Sequence, residues 1–217
     1  MIIGISGMIS SGKSSLSEKL HKEYKTSKML IEFDEDDEVF NTFLKWLYEK
    51  KPDLTIGFQS YIVESHSTKF NKVIDDYQAQ GLNPKKDHIF LDRFSLEHYI
   101  FAKINLMQKG KRYLEAYDAL FEHLITEHEL PDLAIFLDIN FETFKKRIFQ
   151  RGRKSEIDNW EKNIDYFKIL HESYLATFEE LAKKYNLKYE VIDTNNLTEQ
   201  EVLAKAKEII EKYSSLI

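Results

Sequence analysis

The chain contains no cysteine. Disulfides, thiolate catalysis and cysteine-ligated zinc are therefore excluded. Proline occurs 3 times and glycine 7 times in 217 residues, so breaks in regular structure are few. No apolar run approaches the roughly 20 residues that a membrane span requires, and the chain is expected to be soluble with no membrane partner. Positive charge is not in excess either. The 31 Lys and Arg against 37 Asp and Glu leave a net charge of −6, which argues against a protein that grips nucleic acid by neutralising phosphates. A small anionic substrate could still be held by a few local cations. The first residues read as a core strand where a cleavable signal would have to lie, so a cytoplasmic address is expected. The length suits one domain over 1–217, with no repeat, linker or low-complexity tract.

Within that frame, five short apolar runs rich in β-branched residues recur at 2–6, 29–33, 88–91, 133–138 and 189–192. Between them, residues 14–24, 39–48, 58–80, 96–127, 141–150, 159–185 and 199–213 space apolar side chains three and four apart, as helices do. Strands alternating with helices predict an α/β fold: a parallel sheet covered on both faces, with ligands at the carboxyl ends of the strands.

The first run leads into Gly7, Met8, Ile9, Ser10, Ser11, Gly12, Lys13 and Ser14, which reads G-x-x-x-x-G-K-S before a helix and continues into Ser15. Backbone N–H groups of such a loop point at phosphate oxygens, and the helix dipole adds positive potential. Lys13 would reach the outer phosphates and the Ser14 hydroxyl would sit on Mg²⁺, so a nucleoside triphosphate is expected as donor or switch ligand. A GTP switch would also carry Asn-Lys-x-Asp after a late strand. The nearest match, from Asn71 to Asp75, is one residue too long and lies in helix-like sequence. A phosphotransferase or an ATPase remains.

Other strand ends carry charge. Asp92 and Arg93 stand where the third run ends; such an Asp can hold Mg²⁺ or accept a proton, and such an Arg can neutralise a transferring phosphoryl group. Glu32 closes the second run and can take the proton of an attacking hydroxyl, with Asp34 or Glu35 serving if the strand ends later. Arg147, Arg151 and Arg153 crowd around Gly152, as a lid over phosphates would require. Each has a plainer explanation alone: an ion pair, a solvated acidic loop, a basic helix end. Phe58 and Gln59 open a helix and gain meaning only if a base must be gripped, since Gln can bond an adenine edge twice. Phe40, Phe43, Trp46 and Leu47 read as core. His123 and His128, five apart, do not share a helical face, which argues against a metal pair.

Taken together, in order and rough spacing, these residues resemble the deoxyribonucleoside kinase family, and its bacterial deoxyadenosine/deoxyguanosine kinase branch in particular. The resemblance covers nearly the whole chain: Gly7–Ser14, Glu32, Tyr48, Phe58 with Gln59, Asp92-Arg93 with Tyr99-Ile100-Phe101-Ala102, and Arg151-Gly152-Arg153 with Glu156. It implies a P-loop kinase fold with a five-stranded parallel sheet in the order 2-3-1-4-5. It also implies ATP and Mg²⁺ as cofactors, a deoxynucleoside as substrate, and a homodimer. By resemblance, Glu32 binds and deprotonates the sugar 5′-hydroxyl, and Gln59 pairs with the base. Tyr48 and Glu97 hold the 3′-hydroxyl, Arg93 the 5′-oxygen region, and Asp92 the metal or the proton. Arg147, Arg151 and Arg153 embrace the donor phosphates from a lid near 147–158.

Three positions depart from the family pattern. Phe94 replaces the Ser after the acidic-Arg pair, with one residue fewer before Tyr99. Phe33 replaces a Pro, which leaves Asp34 a rival to Glu32. His66 stands where many relatives carry an Arg, seven residues after Gln59 in the base pocket. Deoxyadenosine is expected as the leading substrate, with other deoxynucleosides slower. The competing readings are a thymidylate-type nucleoside monophosphate kinase and a non-catalytic ATP-binding protein.

Overall fold

The computed structural model describes residues 1–32 and 37–215; residues 33–36, which include Asp34 and Glu35, lie outside it. The apolar runs form strands β1 (Ile2–Gly7), β2 (Lys28–Leu30), β3 (Ile89–Asp92), β4 (Leu133–Asp138) and β5 (Tyr189–Asp193). They pair as one parallel sheet in the order β2-β3-β1-β4-β5, as expected. Ile5 is in register with Asp92, and Gly7 with Leu137, so the ends of β1, β3 and β4 open onto the same edge.

Helices α1 (Lys13–Glu23) and α9 (Glu199–Ser214) cover one face, where Leu16, Leu20, Val202 and Ala206 pack on Ile3, Ile5, Ile135 and Leu137. Alternate strand residues, facing the other way, join the larger core under α3 (Thr55–Ala79), α4 (Ser95–Met107), α5 (Lys111–Leu124) and α8 (Trp160–Lys184). The period-two alternation of each central strand thus builds both cores. A Cβ on Gly4 would come within 2.6 Å of the Phe94 ring, so the glycine in β1 makes room for the phenylalanine that follows β3. Helix α2 (Glu38–Tyr48) starts on Asp37, whose carboxylate accepts the Phe40 N–H at 2.9 Å. Helix α6 (Phe141–Arg151) starts in the same way on Asn140, and α7 (Lys154–Ile157) is a single turn.

Two boundaries differ from the sequence reading. Residues 96–127 are not one helix: α4 and α5 are separated at Gly110, whose φ of +114° no helix interior allows. Strand β2 pairs with β3 only through Leu30, which leaves Glu32 just beyond the strand end. Among the described residues, no helix is long and apolar enough to cross a membrane.

Candidate active site

Beyond the carboxyl ends of β1 and β3 lies a cleft of about 650 Å³. Its lining includes Ile9, Ser10, Gly12, Lys13, Ser14 and Ser15 from the β1–α1 loop, and Glu32, Asp92 and Arg93 from the strand ends. Tyr48, Phe58 and Gln59 come from α2 and α3, and Arg147, Arg151, Arg153 and Glu156 from the α6–α7 segment. Sequence positions scattered over more than half the chain converge here because four neighbouring strands end along one edge.

The loop is built by its glycines and serines. Gly7 has φ +140°, and a Cβ there would meet the Leu137 carbonyl oxygen at 2.5 Å, so only glycine lets the loop turn beside β4. Gly7, Met8 and Ser11 lie behind the cleft wall, while Ser10 (φ +61°) and Gly12 (φ +104°) turn the chain into α1. Lys13 is buried, with its ammonium donating to the Gly7 and Met8 carbonyls at 3.0 and 3.1 Å. Burial first, then the nearby Arg93 cation, pushes its pKa down to about 8. Ser10 Oγ and Ser11 Oγ are buried with no partner among the described residues, at the start of a helix whose first N–H groups need acceptors. Such a cradle suits an anion.

Arg93 is the centre of the acidic side. Its φ of +71° is rare for a side chain of this size and turns the guanidinium from the end of β3 into the cleft floor. Its Nε lies 2.5 Å from a Glu32 carboxylate oxygen, its Nη1 donates to the Tyr174 hydroxyl at 2.5 Å, and the Phe101 ring lies 4.6 Å below. Burial opposes the cation, but Glu32, Tyr174 and Glu97 more than offset it, and its pKa rises further above the ordinary range. Asp92, 3% exposed, has its pKa raised by burial first and by the Glu32 charge second; its remaining environment includes the Ser14 hydroxyl, and its Oδ1 has no partner among the described residues. Ser14 and Asp92 thus offer oxygens of the kind that Mg²⁺ takes in small numbers when substrate phosphates and water supply the rest.

Glu97 is placed differently from expectation. Its carboxylate is fully buried beneath the phosphate loop, accepting the Gly7 N–H at 2.9 Å and the Tyr174 hydroxyl at 2.8 Å, and it does not line the cleft. The reason is helical geometry: side chains of α4 lean toward its N-terminus, so a residue in the first turn reaches back to β1. The carboxylate beside Tyr48 is instead Glu156, 1% exposed, held by Arg151 at 2.5 Å and Arg153 at 3.5 Å. Tyr48 is buried, and burial followed by the Glu156 charge raises its pKa well above the ordinary value, so the phenol keeps its proton as a donor. Arg147 is pinned to the loop, donating to the Ser11 carbonyl at 3.0 Å and the Thr194 carbonyl at 2.9 Å.

At the closed end, the buried Gln59 amide has an oxygen with no partner among the described residues. Phe58 stacks on Phe43 with ring centroids 5.3 Å apart. His66, expected at the base, stands behind His98 rather than in the lining, with centroids 4.9 Å apart. His98, Phe101 and Tyr166 line the cleft and were missed in the sequence, and Phe40 and Leu47, read as core, line it as well. Nothing local distinguished them, because an inward helical face looks the same whether it meets other side chains or a cleft.

A family model described as deoxynucleoside kinase matches residues 3–217. An uncharacterized protein of Mycoplasma pneumoniae, the MG268 homolog, is 31% identical over 97% of this chain and 88% of its own length. A Lactobacillus johnsonii protein named deoxyguanosine kinase is 26% identical over 82% of this chain and 76% of its own. Among solved structures, a deoxyadenosine kinase from M. mycoides, with the products dCMP and a flexible dCDP bound, superposes with a TM-score of 0.76. It is 22% identical, and the match covers 98% of this chain and all of that one.

Proposed function

The chain belongs to the deoxynucleoside kinase family, and on that premise we propose that it transfers the terminal phosphoryl group of ATP to the 5′-hydroxyl of a deoxynucleoside. Deoxyadenosine leads among the acceptors, with other deoxynucleosides slower, in nucleotide salvage. The observation that carries this reading is the Glu32–Arg93 pair on the floor of one cleft. The Lys13 loop lines the same cleft, as does the Gln59 amide, whose oxygen has no partner among the described residues. A carboxylate in that cleft can meet a hydroxyl placed between base and phosphate.

Each group then has a task. Gln59 bonds the base edge while Phe58 bounds its plane, and Tyr48 with Glu156, rather than Glu97, holds the 3′-hydroxyl. Glu32 accepts the 5′-hydroxyl proton as the oxygen attacks phosphorus, and the Arg93 cation offsets the charge gathering on that oxygen. The loop N–H groups, Lys13, Arg147, Arg151 and Arg153 surround the donor phosphates, where negative charge is redistributed in the transition state. Ser14 and Asp92 would hold Mg²⁺, which would supply positive charge to neutralise the donor phosphates. Residues 147–158 form the lid; Arg151 and Arg153 tie it to Glu156, so sugar binding and lid position are linked through one carboxylate.

A monophosphate kinase of the thymidylate type would need cations for the acceptor's phosphate. Among the described lining residues, Arg93 is committed to Glu32, Arg151 and Arg153 to Glu156, and Lys13 and Arg147 to the β1–α1 loop. The protein acts in the cytoplasm on a small molecule, as a homodimer. Incubating the purified chain with labelled ATP and Mg²⁺ against the four deoxynucleosides and their monophosphates tests the reading. Label in monophosphate products supports it, label only in diphosphates selects the thymidylate type, and no transfer leaves an ATP-binding protein.

A further inference from the structure

Two histidines stand at the closed end of the cleft. On α3, Gln59, Ile62, Val63, His66 and Phe70 follow the three-and-four spacing of one buried helical face, so His66 lies two turns beyond Gln59 on the same side. On α4, His98 enters from the adjoining wall and meets His66 edge to face at 4.9 Å and 66°. His98 lines the cleft alongside Gln59; His66 backs it, with its Nε2 buried and without a partner among the described residues.

We propose that the His98–His66 pair, together with Gln59, reads the six-position of a purine in either hydrogen-bond polarity, so that 6-amino and 6-oxo purine deoxynucleosides are accepted by one pocket. The inference rests on the reading that a deoxynucleoside base occupies this end of the cleft.

The chemistry turns on what these side chains can reverse. A neutral imidazole carries one N–H and one bare nitrogen and exchanges them by tautomerism, while a glutamine amide exchanges donor and acceptor by flipping. Adenine presents an amino donor beside a bare ring nitrogen; a 6-oxo purine presents an acceptor beside a ring N–H. A carboxylate or guanidinium at this wall would have a fixed sense and would leave one of these bases with an unmatched buried group. The rings here are held neutral. Burial first, then Lys69, pushes His66 down to about 4, and burial, His66 and Arg93 push His98 well below its ordinary value. Among the described residues, the charged groups acting on the pair are Lys69 on α3 and Arg93 at the end of β3, both cations that disfavour a further positive charge.

The experiment compares three 2′-deoxynucleosides that differ around position six: deoxyadenosine, deoxyinosine, and the purine deoxynucleoside bearing only hydrogen there. With saturating ATP and Mg²⁺, the wild-type chain is expected to show kcat/KM for deoxyadenosine and deoxyinosine within about tenfold of each other, both above the unsubstituted purine. His98→Asp, an acceptor only, is expected to move the deoxyadenosine-to-deoxyinosine ratio by tenfold or more toward deoxyadenosine. His98→Leu, which suits a buried site and does not depend on tolerating a new charge, is expected to erase most of the advantage of both over the unsubstituted purine. A wild-type ratio beyond about a hundredfold overturns the proposal. So does a His98→Leu variant that slows all three substrates equally. If the wild type phosphorylates no deoxynucleoside at all, the kinase reading itself has failed, an outcome distinct from an active enzyme whose ratios do not move.

Discussion

Glu97 Oε1 accepts the backbone N–H of Gly7 at 2.9 Å from beneath the phosphate loop, and through Tyr174, 2.8 Å away, it is joined to Arg93. Arg93 in turn faces Glu32, so a buried chain of polar groups links the donor loop to the carboxylate at the acceptor. Removing Glu97 should disturb the alignment of the two halves more than the binding of either. Glu97→Gln is expected to lower kcat about tenfold while moving the nucleoside KM less than threefold. Glu97→Leu, which leaves the Gly7 N–H unsatisfied, should in addition cost about 1–3 kcal/mol in urea unfolding.

Lys13 spends its charge on two loop carbonyls in the free chain, contacts that folding can lose without leaving a buried cation behind. Lys13→Ala should therefore fold with a normal circular dichroism spectrum yet lose on the order of 10² or more in kcat/KM. Turnover near wild type in the purified variant would remove Lys13 from phosphoryl transfer.

Both carboxylates line the cleft, but the Glu32 side chain is 20% exposed whereas Asp92 is 3% exposed and has the Ser14 hydroxyl beside it. The proton acceptor must reach a substrate oxygen, and the metal ligand must reach Ser14. Glu32→Gln is expected to cut kcat by about 10² with ATP binding intact, and Asp92→Asn to raise the Mg²⁺ concentration needed for half-maximal rate. Equilibrium ATP binding and Mg²⁺ titrations of the rate separate the two roles.

Tyr48 and Glu156 adjoin in the wall, donor beside acceptor. Tyr48→Phe and Glu156→Gln should each lower kcat/KM for deoxyadenosine roughly tenfold to a hundredfold. With 2′,3′-dideoxyadenosine, which lacks the 3′-hydroxyl, the same substitutions should change kcat/KM by less than threefold. Equal losses on both substrates would place these side chains elsewhere in the mechanism.

His66 takes up its proton near pH 4 in the fold but near 6.5 in the unfolded chain, because burial and then Lys69 disfavour its charge. Between those values the unfolded chain binds a proton that the folded one refuses, so this residue's share of stability is complete above pH 6.5 and falls as the pH drops toward 4. Asp92, Glu97 and Glu129, whose pKa values are raised chiefly by burial, act in the opposite sense, but they cancel when two chains differing only at position 66 are compared. Going from pH 7 to pH 4.5, His66→Gln should lose about 2 kcal/mol less stability than the wild type in urea unfolding.

Much of this molecule was written locally. Apolar runs placed all five strands; for β1, β3 and β4 the reason is that a strand buried on both faces tolerates few polar residues, while β2 and β5 lie at the sheet edges and are only partly buried. The Gly7–Ser14 spacing declared an anion cradle because backbone angles, not distant partners, make one. What lay outside local reach was direction and company. Glu97 and Glu156 are both glutamates shortly after an arginine, and nothing in their neighbourhoods says which faces a substrate. That was decided when β3 paired beside β1, bringing the first turn of α4 under Gly7, and when the α6–α7 segment folded back over Tyr48. His98 shows the same division: its helix was legible from period alone, but its meeting with His66 depends on how α4 is rotated against α3. Sequence periodicity states which side of a helix is buried, while the neighbour it is buried against follows from strand order and packing, which long-range contacts alone determine.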